Sequence, residues 1–352
     1  MANSLAAPQL PPPEFDILDR IRQSSLDCLN DYKILINLSI CDKFLLNLND
    51  LEINSILNDL PKQIKFPLQF SSQLDELNMV SMVALLDCLD EYHHFLKLTT
   101  GRGAWETTRY LVMSLYLSDH GLTTHAMLQV TSEQISSILS LPTHLERPMP
   151  QNPAISLAEP DPQASQLIQF ILNLLHQIGQ ALKHANLPNL ASFLISRINL
   201  DDDQLIRQLA GAFPHFRDMY ILDNQKPVYL MREALLLLNT LRHTSIPFSN
   251  LKSSYPIPAD KNLSIMLVQL GLLDTSQSTQ EELRKVFSSQ STFTLSIGSA
   301  TILRAASIAC CEFLIDRITL LSQQNQKLKN VTQEGLNRYL LALSLKHSCV
   351  PA

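Results

Sequence analysis

Aromatic rings and charged groups gather in one loop-rich passage of the second half of the chain. The passage runs Phe213-Pro214-His215-Phe216-Arg217-Asp218, and Tyr220 and Tyr229 follow it. Aromatic faces beside Arg and Asp can hold a heterocyclic base by stacking and by hydrogen bonds to its edge. The alternative is a turn at Arg217 and Asp218 whose phenylalanines fill the core. The residues alone leave both interpretations open.

A second candidate is the carboxylate of Asp260, which closes the segment Tyr255-Pro256-Ile257-Pro258-Ala259-Asp260. An apolar helix pattern with Leu263, Met266, Leu267 and Leu270 follows directly. Aspartate before a helix is a preferred N-cap that contributes about 1 kcal/mol. A carboxylate beside a ligand can also act as a general base or stabilise a cationic transition state. The pattern does not separate the two roles.

A third, weaker signal is the glycine-flanked arginine in Thr100-Gly101-Arg102-Gly103, which enters a predicted helix. A helix N-terminus with an added guanidinium favours an anion. A structural turn with Trp105 in the core is the alternative.

His93-His94 has no third ligand at metal spacing, so we predict no metal site and no cofactor. The sequence also lacks a Walker loop, a Rossmann fingerprint, His-Glu-x-x-His and Gly-x-Ser-x-Gly.

The elements that must position these residues are predicted to be helices. Leucine greatly outnumbers valine among the 352 residues, and only 8 glycines occur. Branching at Cβ suits strands and its absence suits helices, so we predict an all-α protein. Apolar periodicity places the main helices near 74–89, 104–117, 132–141, 166–185, 190–198, 203–212, 230–241, 262–270, 299–323 and 331–345.

Three segments fall outside this helical pattern or delimit its helices. The Ala- and Pro-rich residues 1–13 are predicted to be a disordered tail before one helical domain over 14–352. Six prolines between Pro142 and Pro162 indicate a long loop between two lobes. Capping boxes are predicted at Thr131 and Ser278, and Gly271 is predicted to end a helix in the left-handed conformation.

Charge and cysteine usage narrow the partners and the compartment. A formal net charge of −6 argues against binding to a nucleic-acid backbone, so we expect a small polar ligand or a protein partner. The six cysteines form no Cys-x-x-Cys pair, which indicates reduced thiols in a cytoplasmic protein. The first residues do not have the pattern of a signal peptide, and no membrane span is expected.

Five motifs in collinear order resemble the queuosine salvage family, the queuosine 5′-phosphate N-glycosylase/hydrolases. The family carries Phe-x-x-Phe-Arg-Asp, a Tyr-Lys-Arg-Ala helix, Ala-Asp-Tyr-Arg-x-Pro before Leu-Gly-hydrophobe, an Arg-containing helix and a final Tyr-bearing helix. The matching segments here are Phe213 to Asp218, Met231 to Ala234, Ala259-Asp260 with Leu270-Gly271-Leu272, Leu303 to Ile308, and Leu336 to Tyr339. Looser matches at Leu77-Asn78 and Gly103-Ala104-Trp105 extend the resemblance from about Phe66 to the end.

The resemblance implies a helical fold similar to that of DNA glycosylases and hydrolysis of queuosine 5′-monophosphate to release queuine for tRNA modification. It makes Asp260 the catalytic carboxylate and places Arg232 where the family has Lys. The substrate-binding residues that follow are Asp218, Arg217, Phe216, Tyr229, Arg232 and Arg304. We expect a monomer whose partner is this small nucleotide, with no direct contact to nucleic acid or membrane.

The chain departs from the family pattern at two places. Lys261-Asn262 stands where the family has Tyr-Arg, and Met79-Val80-Ser81-Met82 replaces an aromatic run. A non-catalytic helical protein, derived from this family and binding a ligand or a partner, is therefore the alternative.

Overall fold

The computed structural model describes residues 9–58, 66–118, 121–149, 152–252, 254–286 and 295–348. Helices dominate these residues, as the composition predicts. The α-helices are α1 Ile17–Asp31, α2 Leu38–Leu46, α3 Asp50–Asn58, α4 Gln73–Leu86, α5 His93–Thr100, α6 Ala104–Tyr116, α7 Thr124–Gln129, α8 Ser132–Leu139, α9 Pro162–His184, α10 Leu190–Ile195, α11 Asp202–Ala212, α12 Arg232–Leu241, α13 Lys261–Gln269, α14 Glu281–Lys285, α15 Ile297–Leu321 and α16 Gln333–Ser348. The all-α prediction is confirmed.

Short strands in the described residues form three two-stranded antiparallel ribbons. The strands are β1 Leu35–Ile36, β2 His144–Met149, β3 Asn152–Pro160, β4 Met219–Ile221, β5 Pro227–Tyr229 and β6 Leu273–Asp274. The pairs are β1 with β6, β2 with β3, and β4 with β5. The last pair opposes Met219 to Tyr229 and so brings the two aromatic segments of the sequence together.

The core is built around two largely buried helices, α15 and α4. α15 packs against α1, α2, α13 and α16, and α4 packs against α6, α10 and α12. Every residue from Leu77 to Leu86 is buried, as expected for a helix without a polar face. α15 is long and apolar enough to cross a bilayer, yet 67% of its most apolar window is buried inside the fold. A helix buried in a protein core has the same length and apolar composition, so these two properties are weak evidence for a membrane span.

Helix ends follow the predicted signals in two of three cases. Thr131 Oγ1 accepts the N–H of Gln134 and Gln134 Oε1 accepts the N–H of Thr131, which completes the capping box of α8. Gly271 follows α13 with φ +71°. The second predicted capping box is absent, because α14 begins only at Glu281 and its N-cap Gln280 makes no side-chain cap. Ser278 Oγ instead accepts the N–H of Gln280, two residues along.

The proline-rich segment at 142–162 folds differently from the predicted loop. β2 and β3 pair with His144 opposite Pro160, and Asp161 then caps α9. Proline lacks an N–H, but both strands of an isolated hairpin have a free edge that tolerates it. The division into two lobes stays a prediction. Of the predicted tail, residues 1–8 lie outside the described residues, while Pro11 and Pro12 accept hydrogen bonds from Arg207.

Candidate functional site

Asp218 connects three parts of the fold. Its carboxylate accepts Arg304 Nη2 at 2.6 Å and Nη1 at 3.3 Å, and also the backbone N–H of Arg232 at 3.2 Å. Its backbone oxygen accepts the N–H groups of Leu230 and Met231 at 2.9 and 3.0 Å. Only 9% of Asp218 is exposed. The carboxylate therefore joins the start of β4, the start of α12 and the middle of α15.

Arg304 extends this connection to the segment that carries Asp260. Its Nε donates to the carbonyl oxygen of Ala259 at 2.9 Å, while its two Nη groups hold Asp218. All three nitrogens of the guanidinium thus have protein acceptors. The residue just before Asp260 is fixed to α15 as a result.

The start of α12 is held in a strained conformation by Met231. This N-cap residue has φ +50° and ψ +34°, the left-handed region, and its side chain is fully buried. Residues other than glycine pay about 1–3 kcal/mol for such a conformation, and such residues cluster at functional sites. The turn directs Arg232 and Glu233, the first two residues of α12, toward the end of α4.

Arg232 lies among four carboxyl groups, and we call this set the Arg232 cluster. Its Nη1 donates to the carbonyl oxygen of Asp87 and lies 3.5 Å from Glu233 Oε1. Its Nη2 lies 3.4 Å from Asp87 Oδ2 and 3.0 Å from Asp90 Oδ2. Asp260 is the fourth carboxyl group, since its charge interacts with those of Arg232 and Asp90. The cluster comprises Asp87, Asp90, Arg232, Glu233 and Asp260.

Asp260 serves as the N-cap of α13 and also belongs to this charged cluster. Its Oδ1 accepts the N–H of Leu263 at 2.8 Å. Burial raises the pKa of the Asp260 carboxyl above its ordinary value, although the cations Arg232 and Arg304 and the Leu263 N–H oppose the rise. The N-cap interpretation of Asp260 from the sequence is therefore what the hydrogen bonds show, and its catalytic role stays a prediction. One oxygen caps the helix, and the charges of Arg232 and Arg304 act on the carboxyl group.

Asp87 has the most perturbed carboxyl of the cluster. Burial raises its pKa to about 7, and the carboxylates of Asp90, Glu233 and Asp260 add to the rise while Arg232 opposes it. One guanidinium cannot fully compensate four carboxylates in a partly desolvated site. This excess of carboxylates over cations favours retention of a proton within the cluster.

The aromatic residues expected to stack on a base lie elsewhere. Phe216 is fully buried and packs against Phe213, with ring centroids 6.0 Å apart. Tyr229 is 7% exposed, and its backbone N–H donates to Ser24 on α1. Their stacking role stays a prediction, and the burial of both rings argues against it in this conformation. Phe213 and Phe216 are instead packed in the core, as the alternative interpretation of these phenylalanines predicts.

Arg217 also points away from the cluster. This exposed side chain donates from Nε to the carbonyl oxygen of Ala210 at 2.7 Å and from Nη2 to that of Gly211 at 3.4 Å. These carbonyls belong to the last turn of α11, where a cation is favourable. Its substrate-binding role stays a prediction, and the contacts that the structure gives it are those of a C-terminal helix cap.

Tyr220 is the aromatic residue that the fold brings to the charged site. It is half-buried on β4. Burial and the neighbouring Asp218 raise the pKa of its phenol, Glu233 and Glu91 add to the rise, and Arg304 opposes it. The charges of Asp218, Glu233 and Arg304 therefore act on its phenol, and Tyr220 is less buried than Phe216 and Tyr229.

The glycine-flanked Arg102 has a structural environment. Its guanidinium lies 4.3 Å from the centre of the Tyr110 ring, and Nη2 donates to the carbonyl oxygen of Leu139 at 2.9 Å. The contacts tie α6 to the end of α8, which supports the interpretation of this segment as a structural turn.

Over the described residues, no group of three or more His, Cys, Asp or Glu side chains is arranged to hold a metal ion.

Sequence reasoning missed the acidic half of the Arg232 cluster. Asp87 and Asp90 follow α4 in Leu86-Asp87-Cys88-Leu89-Asp90, a segment that shows no motif. Their partner Arg232 lies 145 and 142 residues away in the chain. The available signal was the pair of acids directly after the apolar C-terminal half of α4, where a buried partner would be needed.

Comparison with known proteins gives one family. The family model described as queuosine salvage protein matches residues 117–348, about two thirds of the chain. The match includes Asp218, Arg232, Asp260 and Arg304, and it begins after Asp87 and Asp90. No curated protein gives a significant match. The length of the family match shows that the chain belongs to the queuosine salvage protein family, and four of the five collinear motifs contribute a residue to the charged site.

Proposed function

We propose that the protein hydrolyses the N-glycosidic bond of queuosine 5′-monophosphate and releases queuine for salvage into tRNA. The observation that carries the proposal is the position of Asp260, a half-buried carboxylate at the N-cap of α13 whose charge interacts with those of Arg232 and Arg304, in a chain of the queuosine salvage family. The substrate is a free nucleotide, and the reaction needs water and no cofactor. We place the activity in a monomeric cytoplasmic protein.

The chemistry asks for a carboxylate at the reacting carbon. Breaking an N-glycosidic bond builds positive charge on the ribose, and a nearby carboxylate stabilises that charge. The same group can take the proton of the attacking water, an assistance typically worth about a hundred- to ten-thousandfold. Burial raises the pKa of Asp260 and so makes it a stronger base, while the charges of Arg232 and Arg304 oppose the rise and favour the ionised form.

The remaining roles go to the groups around Asp260. The 5′-phosphate requires cations, for which Arg232 and Arg304 are the candidates at the site. Tyr220 would supply a face for the base, in the place that the sequence assigned to Phe216 or Tyr229. Asp218 would act indirectly, because its carboxylate fixes Arg304 and the start of α12.

The test is release of base by the purified full-length chain. The protein is incubated with queuosine 5′-monophosphate, with queuosine and with guanosine 5′-monophosphate, and free queuine or guanine is measured by chromatography. We expect release from queuosine 5′-monophosphate only. A second family member, run under the same conditions, is the positive control. No release by this chain while the control is active would overturn the proposal.

One observation favours the alternative of a non-catalytic binding protein. Both guanidinium groups already have carboxylate partners, and every Arg304 nitrogen donates to a protein acceptor. A phosphate would have to compete with these partners. Calorimetry with queuosine 5′-monophosphate separates the two functions, since a binding protein gives heat of binding without release of queuine.

A further inference from the structure

The Arg232 cluster places its carboxyl groups at different kinds of helix end. Asp260 is the N-cap of α13, and Glu233 lies in the first turn of α12. The positive end of a helix dipole stabilises an anion at both positions. Asp87 alone is the C-cap residue of a helix, directly after Leu86 of α4. The negative end of that dipole disfavours an anion there.

Solvent exposure separates the remaining pair. Asp90 and Asp87 both face Arg232 Nη2, at 3.0 and 3.4 Å. The Asp90 side chain is 29% exposed and the Asp87 side chain 15%. Water therefore solvates a charge on Asp90 better than one on Asp87. Helix position and exposure agree that Asp87 is the least favourable place for a negative charge.

We propose that Asp87 is a positioning residue that acts through Arg232: it holds the proton that the cluster retains at neutral pH, and Asp260 stays ionised beside the guanidinium. The inference rests on the proposed function for its catalytic meaning. When two carboxyl groups share one cation, their interaction separates their pKa values. The group with the higher pKa stays neutral, and the other can then act as an anion. The groups that face Asp87 are Arg232, Asp90, Glu233 and Asp260, with Cys88 adjacent; those that face Asp260 are Arg232, Asp90 and Arg304.

The orientation of Arg232 matters for a further group, its buried Nε–H donor. Arg232 is 7% exposed, and within the described part of the chain its Nε has no hydrogen-bond acceptor while both Nη groups do. An unsatisfied buried N–H is costly unless an acceptor arrives. A substrate oxygen is such an acceptor, and the clamp on the two Nη groups fixes the direction of this remaining donor.

The first experiment locates the proton without any assay of activity. Infrared spectra of the full chain record the carbonyl stretch of protonated carboxyl groups between about pH 5 and about pH 9. We expect a band that titrates near neutral pH, that survives in Asp260→Asn and that disappears in Asp87→Asn. Absence of the band from the wild type, or its loss in Asp260→Asn and retention in Asp87→Asn, would overturn the inference.

The second experiment compares isosteric variants of the two aspartates that pair with Arg232. Asp87→Asn mimics the protonated residue, so we expect its melting temperature to exceed that of the wild type by an amount that at least doubles between about pH 5 and about pH 8. Asp90→Asn is the matched control and should show no such growth. A difference for Asp87→Asn that is constant over this range would contradict the inference.

Hydrolysis gives the readout that links the proton to catalysis. The wild-type pH profile of kcat/KM should show a step near pH 7, where Asp87 ionises, and this step should be absent from Asp87→Asn. A uniform loss at every pH would make Asp87 a structural clamp only. If the wild type hydrolyses nothing, the proposed function fails, while the spectra and melting curves still decide where the proton resides.

Discussion

Asp218 and Arg304 form an ion pair with two hydrogen bonds at the candidate site. The Nη2 and Nη1 atoms of Arg304 lie 2.6 and 3.3 Å from the two carboxylate oxygens, and the side chains are 18% and 8% exposed. The pair joins the β4 segment to α15, and Arg304 also holds the backbone at Ala259. Arg304 thus fixes the backbone directly before Asp260, while the Asp260 side chain is held by the N–H of Leu263.

Loss of this pair should destabilise the protein strongly. Arg304→Met leaves the Asp218 carboxylate buried without its cation, which typically costs about 3–5 kcal/mol. Arg317→Met is the matched control on the same helix: Arg317 makes a similar two-point pair with Asp42, but the side chains are 23% and 28% exposed. We expect about 1 kcal/mol or less for the control. Urea unfolding at neutral pH measures both, and equal losses would contradict the structural role of the Asp218 pair.

Asp260→Asn should remove hydrolysis while leaving the fold intact. Asparagine caps a helix about as well as aspartate, so the N–H of Leu263 keeps its acceptor and the free energy of unfolding should change by about 1 kcal/mol or less. The charge that assists the reaction is lost, so kcat should fall at least about a hundredfold. Asp161→Asn alters a different N-cap, that of α9, and should keep full activity. Full activity in Asp260→Asn would leave Asp260 as a helix cap only.

Replacement of Arg232 should cost stability in a pH-dependent way. Arg232→Met leaves carboxylates in the cluster without a cation, and we expect a loss of about 3–5 kcal/mol near pH 8. The Asp87 carboxyl has a pKa raised to about 7, so it is already neutral at lower pH and needs no cation there. The loss should therefore shrink as the pH falls from about 8 to about 5. Unfolding curves for both proteins at the two pH values check this, and a loss that grows on acidification would contradict it.

Tyr220 should contribute to ligand affinity through its ring. Tyr220→Ala removes the aromatic face at the charged site, and stacking of a base on an aromatic ring is worth about 1–3 kcal/mol. We expect the Kd for queuosine 5′-monophosphate to rise about tenfold in calorimetry. Tyr220→Phe keeps the ring and should bind nearly as the wild type does. If the two variants weaken binding equally, the hydroxyl and not the ring carries the contact.

Local signals in the sequence determined the helices and several of their ends. The alternation of apolar residues at helical spacing and the bonds of a capping box act within a few residues, so α8, α13 and the turn at Gly271 could be predicted directly. The cap at Asp260 follows from the same local rule. The order of the motifs around Asp218, Arg232, Asp260 and Arg304 also indicated the family.

Only the tertiary structure decided which charges meet and which rings are reachable. Asp87 and Arg232 are 145 residues apart, and no local rule links an acid after one helix to an arginine at the start of another. The same holds for Phe216, whose type fits both a stacking surface and a core, and which packing against Phe213 places in the core. Electrostatics and burial depend on distances in space, whereas sequence patterns report on neighbours along the chain.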